Sequence, residues 1–251
     1  PEKEGSHGPY FQSQRRERYA AAAAEGLEQG WLYRCFCSPE RVAELKERQR
    51  AEKQAAIGYD RTCRGLPAEE SARRAAAGED FVLRFAVPDD ETVTVRDHIR
   101  GEVVFRSAEV EDWVAVRTGG MPTYNFVCAL DDAAMEISHV IRGEEHLANT
   151  PKQVLLCRAL GLPEPEFAHV PLILGADGKK LSKRTGDTAL GDYEAKGYPP
   201  EAMFNFLGLL GFAIDDKTDV FTPEELVAAF ALGRINKAGA VFDTDKLHWL
   251  C

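Results

Sequence analysis

An α/β fold that gives way to an all-helical part is what this sequence predicts, and three observations predict it. Between residues 138 and 174 a strand pattern, a capped helix and a second strand pattern follow one another, the succession of a right-handed parallel crossover. Between Asp80 and Thr118 the apolar residues recur with the period of strands. From Tyr198 to Leu250 only helical patterns are found.

The elements follow in order. Tyr10 to Gly30, rich in Ala, Glu and Arg, predicts one helix with Gly30 as its stop. Arg15, Arg16 and Arg18 on it are expected to form a solvated face rather than an RNA contact. Trp31 to Phe36 predicts a short strand. Ser38-Pro39-Glu40 then opens a charged, solvent-facing helix to about Ala56, with Ser as N-cap and Pro at the first helical position. Strands are predicted at 81–87, 92–95, 103–105 and 113–117, a small β-rich insertion. After Gly119-Gly120 come an apolar stretch at 124–130 and a strand near 138–142. Thr150-Pro151-Lys152-Gln153 reads as a capping box opening a helix, and 167–174 as a strand. Thr222-Pro223-Glu224-Glu225 reads as a second capping box, with Gly211, Gly233 and Gly239 as helix stops. The helical part is expected to begin near residue 190.

With 251 residues, 44% of them hydrophobic, the chain has enough apolar surface to bury an ordinary core. No apolar run approaches the roughly 18 to 20 residues that cross a bilayer, and Pro1 to Gly8 lack an apolar signal core, so a cytoplasmic protein without a membrane partner is expected. Six scattered cysteines do not form the dense framework of a secreted disulfide scaffold, and reduced thiols are expected. The net charge of -10 excludes a uniformly basic surface, but a local basic face suffices to meet phosphates. The chain begins without Met and stops at Trp249-Leu250-Cys251 inside an amphipathic stretch, which reads as a fragment.

The segment Gly175-Ala176-Asp177-Gly178-Lys179-Lys180-Leu181-Ser182-Lys183-Arg184 follows a strand and carries four cations in six positions. Glycines let backbone approach a polyphosphate, and the cations would neutralise charge building on it. Taken alone, a solvated charge run is the commoner account of such a cluster. A second constellation is Cys35-Phe36-Cys37 followed by Tyr59 and Cys63, three thiols and a phenol that could surround one zinc ion. Three reduced, uncoordinated cysteines are the alternative. Cys128 and Cys157 lie in apolar runs and read as small core residues.

Lys180-Leu181-Ser182-Lys183-Arg184 resembles the KMSKS motif of class I aminoacyl-tRNA synthetases, in the form used by glutamyl enzymes. Phe167-Ala168-His169-Val170-Pro171 is similar to the strand that leads into it. Pro122-Thr123-Tyr124-Asn125-Phe126, Asp131-Asp132, the run from His139 to His146, and Asn149-Thr150-Pro151 resemble, in order and spacing, bacterial-type glutamyl-tRNA synthetases. The resemblance extends from Gly8 to Leu250. It implies a partial Rossmann-like catalytic domain at residues 1–30 and 119–190, interrupted by a mixed α/β acceptor-binding insertion at 31–118. A helical stem-contact domain at 191–251 would follow.

The resemblance also implies roles. Tyr124 and Arg142 would line the glutamate pocket; a guanidinium grips a side-chain carboxylate bidentately and selects against uncharged glutamine. An ion pair with Glu144 or Glu145 is the plain alternative for Arg142, and core packing for Tyr124. His146, Lys180 and Lys183 would bind ATP, the two lysines as its catalytic phosphate ligands. Cys128 stands where some relatives carry a substrate-contacting asparagine. Zinc on Cys35, Cys37, Tyr59 and Cys63 matches a structural site of some glutamyl and glutamyl-queuosine enzymes. The implied activity is ligation of L-glutamate to tRNA(Glu) through glutamyl-adenylate, with ATP, Mg2+ and a monomeric enzyme. The HIGH-type motif would lie upstream of Pro1, so the chain by itself is expected to be inactive. A glutamyl-queuosine tRNA synthetase and a non-catalytic tRNA-binding module are the alternatives.

Overall fold

The computed structural model describes residues 5–54, 56–181 and 189–251. In chain order its elements are α1 (Arg16–Gln29), β1 (Leu32–Cys35), α2 (Pro39–Ala51), α3 (Ala68–Ala76), β2 (Val82–Phe85), β3 (Thr92–Asp97) and β4 (Gly101–Arg106). There follow β5 (Val114–Val116), α4 (Tyr124–Ala134), β6 (His139–Gly143), α5 (Thr150–Ala159), β7 (Glu166–Val170) and β8 (Ile173–Leu174). The last are α6 (Leu190–Ala195), α7 (Pro200–Leu209), α8 (Pro223–Ala229), β9 (Ala240–Val241) and α9 (Thr244–Leu250). None of these helices is long and apolar enough to cross a membrane.

The chain divides into two compact units. The first takes the described residues of Pro1–Val95, Val104–Ser138 and Ala148–Pro165. The second takes those of Arg96–Val103, His139–Leu147 and Glu166–Cys251, so the boundary expected near residue 190 falls inside it.

In the first unit, α1 starts later than its composition predicts. A 3-10 turn at Gln12–Gln14 precedes it, and Arg15, expected on a solvated face, is 4% exposed and donates to Asp131 at 2.6 Å. Tyr19 donates to the other oxygen of that carboxylate at 2.7 Å, so a buried ion pair clamps α1 to α4. Gly30 ends the helix at φ 81°, and Gly26 lets the Trp31 ring and Leu32 pack where a Cβ would collide. Ser38 caps α2 as expected, its hydroxyl accepting from the Arg41 amide at 3.2 Å. Helix α3 is absent from the sequence reading because its apolar face is made of alanines alone, Ala68, Ala72, Ala75 and Ala76, and it buries only Ser71. Strands β1, β2 and β5 form an antiparallel sheet on which Trp31, Phe85 and Trp113 pack ring against ring.

The other two strands of the expected β-rich stretch, β3 and β4, join a second sheet in the order β4-β3-β7-β6. Its parallel pair, β6 with β7, runs in unbroken register from His139↔Glu166 to Gly143↔Val170. The strand expected at 167–174 breaks at Pro171, which has no amide to donate, and resumes as β8. The capping box expected at Thr150 does not form. Asn149 takes the cap position, and Gln153 donates instead to Asn125 at 3.4 Å, tying α5 to α4. The box at Thr222 does form: its hydroxyl accepts from Glu225 at 3.2 Å and its amide donates to the Glu225 carboxylate at 2.8 Å.

In the second unit, α6, α7 and α9 enclose Tyr193, Met203, Phe206 and Leu247. The stretch after 198 is not wholly helical, because β9 pairs in parallel with β8. Gly239 is therefore no helix stop. A Cβ there would come within 3.0 Å of the Leu172 carbonyl, so the glycine admits a close strand approach. Gly233 lies inside a 3-10 turn at Leu232–Arg234.

Candidate active site

A connected polar arrangement lies toward the carboxyl ends of β6 and β7, where open α/β sheets bind ligands. Arg142 and His169 are register partners there. The Nε of Arg142 donates to Nε2 of His169 at 3.1 Å, and Nδ1 of His169 meets Asp97 Oδ2 at 2.6 Å. An arginine cannot accept, so Nε2 must be the bare nitrogen and Nδ1 must carry the proton, given to Asp97. His169 is fully buried, which holds its pKa below the ordinary imidazole value; Asp97 opposes the shift and Arg142 adds to it. Burial alone would push Asp97 up. The amides of Arg100 and Ile99, at 2.8 and 2.9 Å, together with His169, win and hold it below the usual carboxylate range. The outcome is a neutral histidine in one tautomer that orients a guanidinium.

Around this line, Arg100 bonds the His169 carbonyl at 3.2 Å and the Lys237 carbonyl at 2.8 Å, and pairs with Glu144 at 2.5 Å. Glu144 also accepts from the Leu172 amide at 3.1 Å. Glu145 pairs with Lys180 at 2.8 Å, and that bond holds its carboxyl below the usual range. A Cβ on Gly143 would overlap the Glu145 carboxylate in this position, so any larger residue there would make Glu145 shift. The two acids expected as alternative partners of Arg142 thus have cations of their own. His146 sits half-buried in the 3-10 turn that follows, at Glu144–Asn149.

Lys180 closes a small hairpin arm. Leu174 bridges Lys180, the Leu181 amide donates to Ile173 at 2.8 Å, and Gly178 turns the chain at φ 71°. Its ammonium is exposed apart from the Glu145 pair. Lys183, with Ser182 and Arg184, lies outside the described residues.

Tyr124 belongs to the first unit. Pro122 bridges Val116, the Thr123 hydroxyl donates to the Val114 carbonyl at 2.8 Å, and its amide donates to Ala115 at 2.8 Å. These pins hold the start of α4 against β5 and leave Tyr124, the first helical residue, 48% exposed, so core packing does not account for it. Cys128, one turn on, donates to Asp132 at 3.4 Å.

The thiols of Cys35, Cys37 and Cys63 lie within 4.8 Å of one another. Cys37 Sγ is 3.6 Å from Cys63 Sγ and 3.5 Å from the Tyr59 hydroxyl. Zinc–sulfur bonds of ~2.3 Å and a zinc–oxygen bond of ~2.0 Å put tetrahedral neighbours about 3.8 Å (S to S) and 3.5 Å (S to O) apart, so this donor set fits zinc. Burial raises the Cys37 thiol to about 11 and lifts the Tyr59 phenol further. A bound cation would reverse both shifts. The phenol oxygen already accepts the Cys63 amide at 2.9 Å, and Arg84 lies 3.9 Å over the Tyr59 ring, both of which favour a phenolate. Burial works against the Cys63 thiolate, but hydrogen bonds from Tyr59 and the Phe36 amide bring its pKa down. Cys157 is a core residue as expected, its thiol pushed up to about 11 by burial.

Asp97 and Arg100 are the residues that sequence reasoning misses. Asp97 and His169 stand 72 positions apart and no spacing links them. The one available signal is a carboxylate ending a strand pattern just before the turn at Arg100-Gly101.

Comparison with known proteins identifies the family. The family model described as tRNA synthetases class I (E and Q), catalytic domain, matches residues 2–249. A glutamate–tRNA ligase of Natranaerobius thermophilus is 47% identical over 250 residues, which take in 100% of this chain and 51% of the relative. One from Desulfitobacterium hafniense is 48% identical over 246 residues, 98% of this chain and 50% of the relative. A crystal structure of a glutamate tRNA ligase from Elizabethkingia meningosepticum, in complex with its amino acid, superposes with TM-score 0.88 at 35% identity, covering 100% of this chain and 55% of that one. The chain thus spans about half the length of the curated relatives it matches, and it belongs to the class I tRNA synthetases for E and Q, as part of their catalytic domain.

Proposed function

We propose that the protein of which this chain is a part ligates L-glutamate to tRNA(Glu). The glutamate α-carboxylate attacks the α-phosphorus of ATP. One P–O bond forms, the bond to the β-phosphate bridge breaks, and pyrophosphate leaves. The terminal adenosine hydroxyl of tRNA then takes the acyl group and AMP leaves. Both steps depend on positioning and charge stabilisation.

The observation that carries this reading is the line Asp97–His169–Arg142. It fixes a guanidinium in one orientation at the carboxyl end of a parallel strand, which suits a planar carboxylate better than a mobile lysine would. Arg142 takes the γ-carboxylate of glutamate, and Tyr124 is the second residue assigned to the amino acid. His146 serves the nucleotide, while Lys180 and Lys183 serve the phosphates, Mg2+ accompanying the ATP. In this reading Lys180 exchanges Glu145 for phosphate oxygens when ATP binds. Residues 31–118 grip the acceptor end of the tRNA and residues 191–251 lead along its stem.

Cys35, Cys37, Tyr59 and Cys63 would hold a zinc ion with a structural part, joining the end of β1 to the loop at Tyr59. Removing it with a chelator should lower the melting temperature by about 5–10 °C, for a loss of about 2–3 kcal/mol, and Cys63→Ser should abolish that response.

The activity is tested by glutamate-dependent ATP–pyrophosphate exchange, with tRNA present, on this chain and on a version extended upstream. Exchange in the extended protein that Arg142→Ala abolishes supports the assignment. Exchange driven equally by glutamine would remove the role given to Arg142.

A further inference from the structure

The amino ends of β6 and β7 carry a second histidine–carboxylate group that the proposed reaction does not use. His139 opens β6, Glu166 opens β7, and the two are register partners. His98 follows the last residue of β3, and its amide donates to the Phe167 carbonyl at 2.9 Å. Three backbone positions are thus fixed side by side by the sheet itself. From them both imidazoles turn Nε2 toward the same oxygen, Glu166 Oε2, at 2.5 Å from His98 and 3.7 Å from His139. The ring centroids lie 5.7 Å apart, with the planes inclined by 28°.

We propose that His98, His139 and Glu166 form a divalent transition-metal site. The three ligand atoms lie within 4.8 Å of one another. Metal–nitrogen and metal–oxygen bonds of ~2.0–2.2 Å put neighbouring tetrahedral ligands about 3.4 Å apart, between the two observed separations, so shifts of about 1 Å complete the site. Imidazole and carboxylate donors select Zn2+, Ni2+ or Cu2+ over Mg2+ and Ca2+. The donor chemistry differs from that of the thiol cluster, which favours zinc and other thiophilic ions.

An ordinary surface ion pair explains the His98–Glu166 contact but not the convergence of a second imidazole on the same oxygen. One metal ion would satisfy both imidazole nitrogens and the carboxylate together. The side chains are 36%, 41% and 60% exposed, so solvent reaches the ion and water completes its coordination. Binding here would brace the three strands at the ends opposite Arg142 and His169.

The test is a Ni2+ titration of the whole chain by calorimetry, with histidine ring resonances followed by NMR. Wild type is compared with His98→Asn, Glu166→Gln and the double variant H98N/H139N. The thiol cluster is the same in all four proteins, so any difference between them belongs to this site. Loss of an outer partner of a metal site typically costs ~10–100-fold in affinity, so loss of a ligand should weaken binding at least about tenfold. The expected result is one binding event weakened that far in each single variant and lost in the double variant. Joint broadening of the His98 and His139 resonances and a Ni2+-dependent rise in melting temperature should occur in wild type alone. Identical isotherms for wild type and a folded double variant, or broadening of one histidine without the other, would overturn the proposal.

Discussion

Two histidine–carboxylate pairs share β7 and the carboxyl end of β3. His169, toward the carboxyl end of β7, and its partner Asp97 are buried, whereas Glu166, at the amino end of β7, and its partner His98 are exposed. The functional groups are alike and the surroundings reverse their use. Burial excludes the competing hydrogen bonds of water, so the first pair has one protonation pattern and one orientation to impose on Arg142. The second pair faces solvent, which leaves it able to accept an ion.

The largest expected effect breaks the buried end at its outermost member. Arg142→Ala should raise the glutamate KM, or lower exchange, by about two to four orders of magnitude, because two charge-assisted hydrogen bonds of ~1.5–3 kcal/mol each disappear. Next comes Asp97→Asn, which keeps the shape but turns an amide NH2 toward amides that need an acceptor. A loss of about 3 kcal/mol is expected, or roughly 6–12 °C in melting temperature, together with a raised glutamate KM.

A pH series sharpens the comparison. His169 has a lower pKa folded than unfolded, so the unfolded chain takes up the proton first as pH falls. Its contribution is complete above about pH 6.5, the unfolded value, and is lost as pH drops from there toward the folded pKa. Urea midpoints compared above and below that value should fall for wild type and fall less for His169→Gln. The smallest effect belongs to the exposed end: without metal, Glu166→Gln should change stability by no more than about 0.5 kcal/mol.

The contrast also governs what the sequence discloses. Ser38 and Thr222 announce their helices because a cap is a local bond between neighbours. The Cys35, Cys37, Tyr59 and Cys63 group is legible for the same reason, being confined to one stretch of chain. Thr150 misleads because Gln153 found a better partner on α4, and no local pattern encodes that choice. Asp97 is invisible because its meaning depends on β3 lying beside β7, a pairing set by the whole sheet. Arg15 misleads in the same way, its partner Asp131 being brought to it only by the packing of α4. The motif residues Tyr124, Arg142 and Lys180 are recognisable by resemblance, but the histidine that orients the arginine emerges only from the fold.

The pairing of β8 with β9 couples distant stretches of chain. The Leu172 and Leu174 carbonyls accept from the Ala240 and Phe242 amides at 3.2 and 2.8 Å, while the same arm accepts the Leu181 amide at Ile173. The Lys180 arm is thereby sewn along one edge to the segment leading into α9. Its amides cannot open singly without breaking the seam, so Ala240, Phe242 and Leu181 should lose hydrogen-exchange protection together. A nucleotide that grips Lys180 would then slow exchange some sixty residues downstream, at Ala240 and Phe242, without touching them.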